Sequence, residues 1–96
     1  MIAMNYAYST AIVFANDPVR ISPSVIHVEP WGEEYTLLPG EECELVAYGN
    51  TELPSFYVVA LDHGMQVYCN HTSDFEVLQA GQIIYHGHNS GVTPPA

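Results

Sequence analysis

Residues 35–48 read YTLLPGEECELVAY, and this stretch decides the fold. Tyr35–Leu38 is a short apolar run rich in strand-forming side chains. Pro39-Gly40 interrupts it. Proline presets the backbone at one central turn position, and glycine accepts the positive φ of the next. The chain then alternates strictly, because successive side chains of a strand point to opposite faces. Glu42 and Glu44 fall on one face, and Cys43, Leu45 and Ala47 on the other. The stretch is therefore strand, turn, strand: a hairpin or a tight corner between two sheets.

The same grammar continues in both directions. Upstream, Met4–Phe14 reads as a first strand with Tyr6, Tyr8, Thr10, Ile12 and Phe14 on one face. Asn16-Asp17-Pro18 turns the chain into a second strand, Val19–Val28. Ser22-Pro23-Ser24 interrupts that strand, and a proline without N–H belongs at an edge or a bulge. Downstream, Phe56–Leu61 is a continuous apolar run, as expected of a central strand. Asp62-His63-Gly64 turns into Met65–Asn70, where Met65, Val67 and Cys69 share a face. Phe75–Gln79 and Gln82–His86 form a last hairpin across Ala80-Gly81. No segment carries a helical stripe. About eight short strands at this spacing predict one all-β domain over residues 1–96, with an extended or frayed tail at 87–96. The expected architecture is an antiparallel β-sandwich, immunoglobulin-like or cupredoxin-like, with a jelly roll or cupin-like barrel as the alternative.

Composition bounds the partners. The 96 residues include one basic side chain, Arg20, against eleven carboxylates, for a formal net charge of −10. The hydrophobic fraction of 48% is ample for a core, so the charge does not imply disorder. Such a chain cannot bind a phosphate backbone, which needs clustered lysine and arginine to release counterions. Nucleic acid and anionic membrane surfaces are excluded as partners on this ground. Met1–Ala15 is apolar but lacks a basic leader region and is too short and polar to span a bilayer, so the expected location is cytoplasmic. Cys43 and Cys69 are then expected to be free buried thiols rather than a bridge.

Glu29, Glu33, Glu34, Glu41, Glu42 and Glu44 crowd into residues 29–44 around Trp31. The run EPWGEEY at 29–35, followed by LPGE at 38–41, is the most distinctive segment. It resembles small bacterial all-β proteins of unknown function that carry such a signature ahead of a β-strand. The resemblance covers residues 29–48 and implies no activity.

Two readings stand for this segment. Trp31 can plug one end of the sandwich while the carboxylates form a solvated face. Alternatively, Glu29, Trp31, Glu33, Glu34, Glu41, Glu42 and Glu44 form a partner-binding face for a basic protein surface. Two glutamates two residues apart on one strand repel each other with no local cation, which favours the second reading. An immunity- or inhibitor-like protein, its carboxylates imitating phosphates, fits this description.

The five histidines supply a further alternative, a metal- or small-molecule-binding barrel. His86 and His88 share a face if the last strand continues, and His63 and His71 lie in turns. Histidines at such positions can ligate zinc or copper, or can simply replace the missing lysine and arginine as surface polar groups. A third alternative is a self-assembling structural domain. Seven tyrosines and strand edges without lysine gatekeepers would allow a homo-oligomer. Enzymatic function is not expected. There is no G-x-S-x-G elbow, no glycine-rich phosphate loop and no oriented Cys–His pair, and no cofactor is implied.

Overall fold

The computed structural model describes residues 6–86, with Tyr85 and His86 described by their backbone alone. The expected tail at 87–96 and the start of the chain lie outside the described residues. Eight strands follow one another: β1 (Tyr8–Ala15), β2 (Ser24–Glu29), β3 (Glu33–Leu37), β4 (Glu42–Gly49), β5 (Ser55–Leu61), β6 (Gly64–Asn70), β7 (Asp74–Gln79) and β8 (Gln82–His86). They form two four-stranded sheets, β1-β4-β7-β8 and β3-β2-β6-β5. We call these sheet A and sheet B.

The two sheets enclose one core, so the fold is the expected sandwich. Sheet A contributes Phe14, Cys43, Leu45, Phe75 and Val77, and sheet B contributes Ile26, Val28, Leu37, Val67 and Cys69. These are the inward positions that period-2 alternation assigns. Trp31, in the β2–β3 turn, closes one end by packing on this cluster, its ring centroid 4.6 Å from that of Phe75.

Hairpins β2–β3 and β5–β6 lie side by side in sheet B. They are joined by a parallel pairing of β2 with β6, so this sheet is mixed rather than purely antiparallel. Gly64 makes that junction. A Cβ there would fall 1.8 Å from the Val25 carbonyl oxygen. The Pro39-Gly40 turn is the corner between sheets, carrying the chain from β3 in sheet B to β4 in sheet A. Gly40 has φ +85°, as a turn of this kind requires. Asn16, buried at the end of β1, ties the corner down. Its side-chain amide donates to the carbonyls of Ser22 and Leu37, and its backbone N–H donates to that of Glu41.

Three strand expectations are corrected. The first strand begins at Tyr8, and Tyr6 lies before it. Freed from the strand's alternation, Tyr6 crosses to the outer face of sheet A and stacks on Tyr48. The second strand begins at Ser24, directly after Pro23, rather than at Val19. Phe56–Leu61 belongs to the edge strand β5, not to a central one. The β5–β6 hairpin joins β2 through β6, which leaves β5 outermost. Tyr57 is 63% exposed there, with Val58 and Leu61 also on the surface.

Candidate functional site

The corner at Leu38–Glu41 also divides the acidic segment. Glu42 and Glu44 project from β4 on the outer face of sheet A, opposite Cys43, Leu45 and Ala47, as alternation requires. Glu34 projects from β3 on the outer face of sheet B, and Glu29 ends β2, its Oε2 accepting from the Gln66 amide at 3.1 Å. Glu33 is half-buried at the position opposite inward-facing Val28. Glu41 caps the corner, its Oε1 accepting from the Leu38 N–H at 2.8 Å. Trp31 is packed on the core. Of the seven residues expected to form one face, Glu29 and Glu34 lie on the outer surface of sheet B, Glu42 and Glu44 lie on that of sheet A with Glu41 beside them at the corner, and Trp31 and Glu33 lie on neither. The two surfaces are separated by a sandwich whose sheets lie about 10 Å apart.

What remains together is the Glu41–Glu44 end of sheet A. Two adjoining recesses open there. One, of about 560 Å³, is lined by Glu41, Glu42, Gln79, Gln82 and Ile84. The other, of about 260 Å³, is lined by Val13, Glu42, Glu44 and Leu78. Glu42 and Ala80 border both. Val13 is 58% exposed and Ile84 48%. The surface thus combines carboxylates with uncovered aliphatic side chains. Among the described residues, Glu42 and Glu44 have no basic partner. Arg20 lines a different recess, with Asp17, Leu61 and Met65.

Further along the same face lies a buried polar cluster that sequence reasoning missed. Asp74 and Glu76 alternate with Phe75 and Val77 on β7, and all four are buried, Asp74 completely. Their strand neighbour supplies a donor: the Tyr48 hydroxyl donates to Glu76 Oε1. The Tyr6 hydroxyl approaches Asp74 Oδ2 at 3.5 Å, and the Phe75 N–H donates to Asp74 Oδ1 at 2.9 Å. Burial, the bond to Glu76 and the surrounding carboxylates hold the Tyr48 phenol well above its ordinary range. Burial and then the charge of Asp74 raise that of Tyr6. The sequence signal was present in the Asp-Phe-Glu-Val alternation, which places two carboxylates beside Tyr48. Their burial was not legible.

The histidines separate. His63 and His71 sit at opposite ends of β6, and at the rise of a strand this spacing is about 26 Å. They cannot share a metal ion, which corrects the expected set. His71 faces Glu52 instead, Nδ1 to Oε1 at 3.0 Å. His86 lies on β8 opposite Glu76 in the backbone register, and His88 falls outside the described residues. His63 meets His27, which was not singled out from sequence, and Glu34 lies on the far side of His27. The hairpin register that opposes His27 and Glu34 is the signal that could have found it.

Cys43 and Cys69 are free and point into the core. Burial, and for Cys43 also the charge of Glu42, pushes the thiols up to about 11 and about 12 respectively, so neither is a nucleophile at neutral pH. No helix among the described residues is long and apolar enough to cross a membrane. No family model, curated protein or solved structure matches the chain.

Proposed function

We propose that this chain is a non-enzymatic, acidic interaction module that binds a basic protein surface through the Glu41–Glu44 end of sheet A. One observation carries the reading: Glu42 and Glu44, without basic partners among the described residues, line two adjoining recesses together with the exposed aliphatic side chains Val13 and Ile84. A lysine or arginine side chain matches both parts. Its aliphatic stem covers apolar surface while its charged head meets carboxylates. The net charge of −10 adds long-range attraction that speeds encounter with a cationic partner. The same charge disfavours nucleic acid and anionic membranes. An immunity- or inhibitor-like role fits a small domain of this kind, in a reducing cytoplasm that keeps Cys43 and Cys69 as thiols.

The test is retention of a basic protein by the immobilised chain, with Glu42→Lys/Glu44→Lys as comparison. The wild type should hold its partner at low salt and release it at high salt, and the double variant should fail to hold it. Equal retention by both chains would remove this reading.

A second reading is favoured by the β5 edge. Tyr57, Val59 and Tyr68 line a shallow recess of about 540 Å³, and the Tyr57 and Tyr68 rings lie 6.1 Å apart. An exposed apolar edge strand invites pairing with a second copy. Sedimentation at micromolar concentration separates the two readings. A defined oligomer abolished by Tyr57→Glu would support self-assembly.

A further inference from the structure

On the opposite side of the molecule from the Glu41–Glu44 face, His27 and His63 form a close edge-to-face pair. His27 projects from β2 on the outer face of sheet B, and His63 occupies the two-residue turn between β5 and β6. Their Nε2 atoms are 3.5 Å apart, and the rings are nearly perpendicular, at 84°. Glu34 Oε1 lies 3.2 Å from the other nitrogen of His27, Nδ1.

The chemistry of this arrangement follows from the tautomers. A carboxylate beside Nδ1 holds the proton on that nitrogen, which leaves the Nε2 lone pair of His27 directed at His63. A direct hydrogen bond between the two Nε2 atoms would be long at this separation. Two imidazole nitrogens bound to one tetrahedral zinc ion at 2.0–2.1 Å stand about 3.4 Å apart. The gap thus has the width of a ligand pair.

We propose that His27 and His63 hold a divalent transition-metal ion of the zinc class through their Nε2 atoms, with Glu34 as the positioning residue for His27. The scaffold is already set for this. The Val25 N–H donates to the His63 carbonyl at 2.8 Å, which fixes the turn against β2. Gly64, lacking a Cβ, lets the turn approach that closely. Glu34 is the direct register partner of His27 in the β2–β3 hairpin. Among the described residues, no group of three or more potential ligands gathers around a common point. The ion therefore keeps positions open to water or to an incoming donor, and it binds less tightly than in a closed four-ligand site. The site is independent of the Glu41–Glu44 face, which lies on the other sheet.

Calorimetric titration of the full chain with Zn²⁺ in a non-chelating buffer tests the proposal. One saturable site per chain is expected in the wild type. His63→Ala, in an exposed turn, should weaken it by about 100-fold and Glu34→Gln by about tenfold, whereas His71→Ala should leave it unchanged. In parallel, the imidazole nitrogen resonances of His27 and His63 should shift on adding Zn²⁺, and that of His71 should not. Wild-type affinity in His63→Ala, or no saturable site in the wild type, would overturn the assignment.

Discussion

Replacing Gly64 with alanine should weaken the domain more than any other single added methyl on its surface turns. The new Cβ would stand 1.8 Å from the Val25 oxygen and 2.7 Å from both the Val25 carbonyl carbon and nitrogen. These are backbone atoms of the neighbouring strand, not the tip of a side chain that can swing away. Restoring the 3.0 Å approach that real Cβ atoms respect requires the turn and β2 to part by roughly 1.2 Å. Such a shift strains the Val25 N–H to His63 carbonyl bond and the first rungs of the β2–β6 pairing. Forced overpacking costs about 1–3 kcal/mol, and one or two weakened backbone hydrogen bonds add about 1 kcal/mol each. We therefore expect a loss of about 3–4 kcal/mol, a large share of the roughly 5–15 kcal/mol typical of a domain. Urea denaturation is the assay. With a slope of about 1 kcal/mol per M, the midpoint should fall by about 3 M with the slope unchanged. Gly81→Ala is the control, because its φ is +78° but nothing lies within 4 Å of the added Cβ. It should cost only the backbone term of about 1–2 kcal/mol. A loss below about 1 kcal/mol in Gly64→Ala would refute the steric argument.

Ala80 has φ +53° beside Gly81 at +78°, so the β7–β8 turn suits Asn-Gly better than Ala-Gly; Ala80→Asn should raise stability by about 0.5–1 kcal/mol and the melting temperature by a few degrees. Tyr48→Phe removes a donor from buried Glu76 and should cost about 2 kcal/mol by urea denaturation, whereas loss of an idle hydroxyl would be neutral. The Cys43 and Cys69 thiols, pushed up to about 11 and about 12, ionise less readily folded than unfolded, as does Tyr48. The stability they contribute is complete below pH 9, near the unfolded thiol value, and is lost as pH rises through 9 to 12. Urea midpoints at pH 7, 9.5 and 10.5 should fall in that order, and a flat profile would contradict the burial of these groups.

Much of the architecture was legible because period-2 alternation reports which face a side chain takes. Cys43, Leu45 and Ala47 went inward and Glu42 and Glu44 outward, and the Pro39-Gly40 turn proved to be a corner between sheets. Alternation does not report which strands become neighbours. For that reason Phe56–Leu61 read as central, although β6 takes the inner position and leaves it at the edge. The same gap hid the candidate sites. Residues 29–44 look like one acidic cluster along the chain, yet the corner at 38–41 sends Glu34 and Glu44 to opposite surfaces. His27 drew no attention because its partners, Glu34 and His63, are supplied by pairing across strands. Alternation with Phe75 and Val77 puts Asp74 and Glu76 on the outer face of sheet A, and their burial beside the stacked Tyr6 and Tyr48 follows only from the three-dimensional arrangement.

The proposed face requires cationic groups to dock at one end of sheet A rather than spread over the whole negative surface. Its most direct test is an NMR titration of the full chain with a short arginine-rich peptide at low and high salt. Saturable shifts are expected, centred on Val13, Glu42, Glu44, Leu78 and Gln79, suppressed by salt and lost in Glu42→Lys/Glu44→Lys. Shifts distributed evenly over the carboxylates of both sheets, or centred on Glu29 and Glu34, would contradict it.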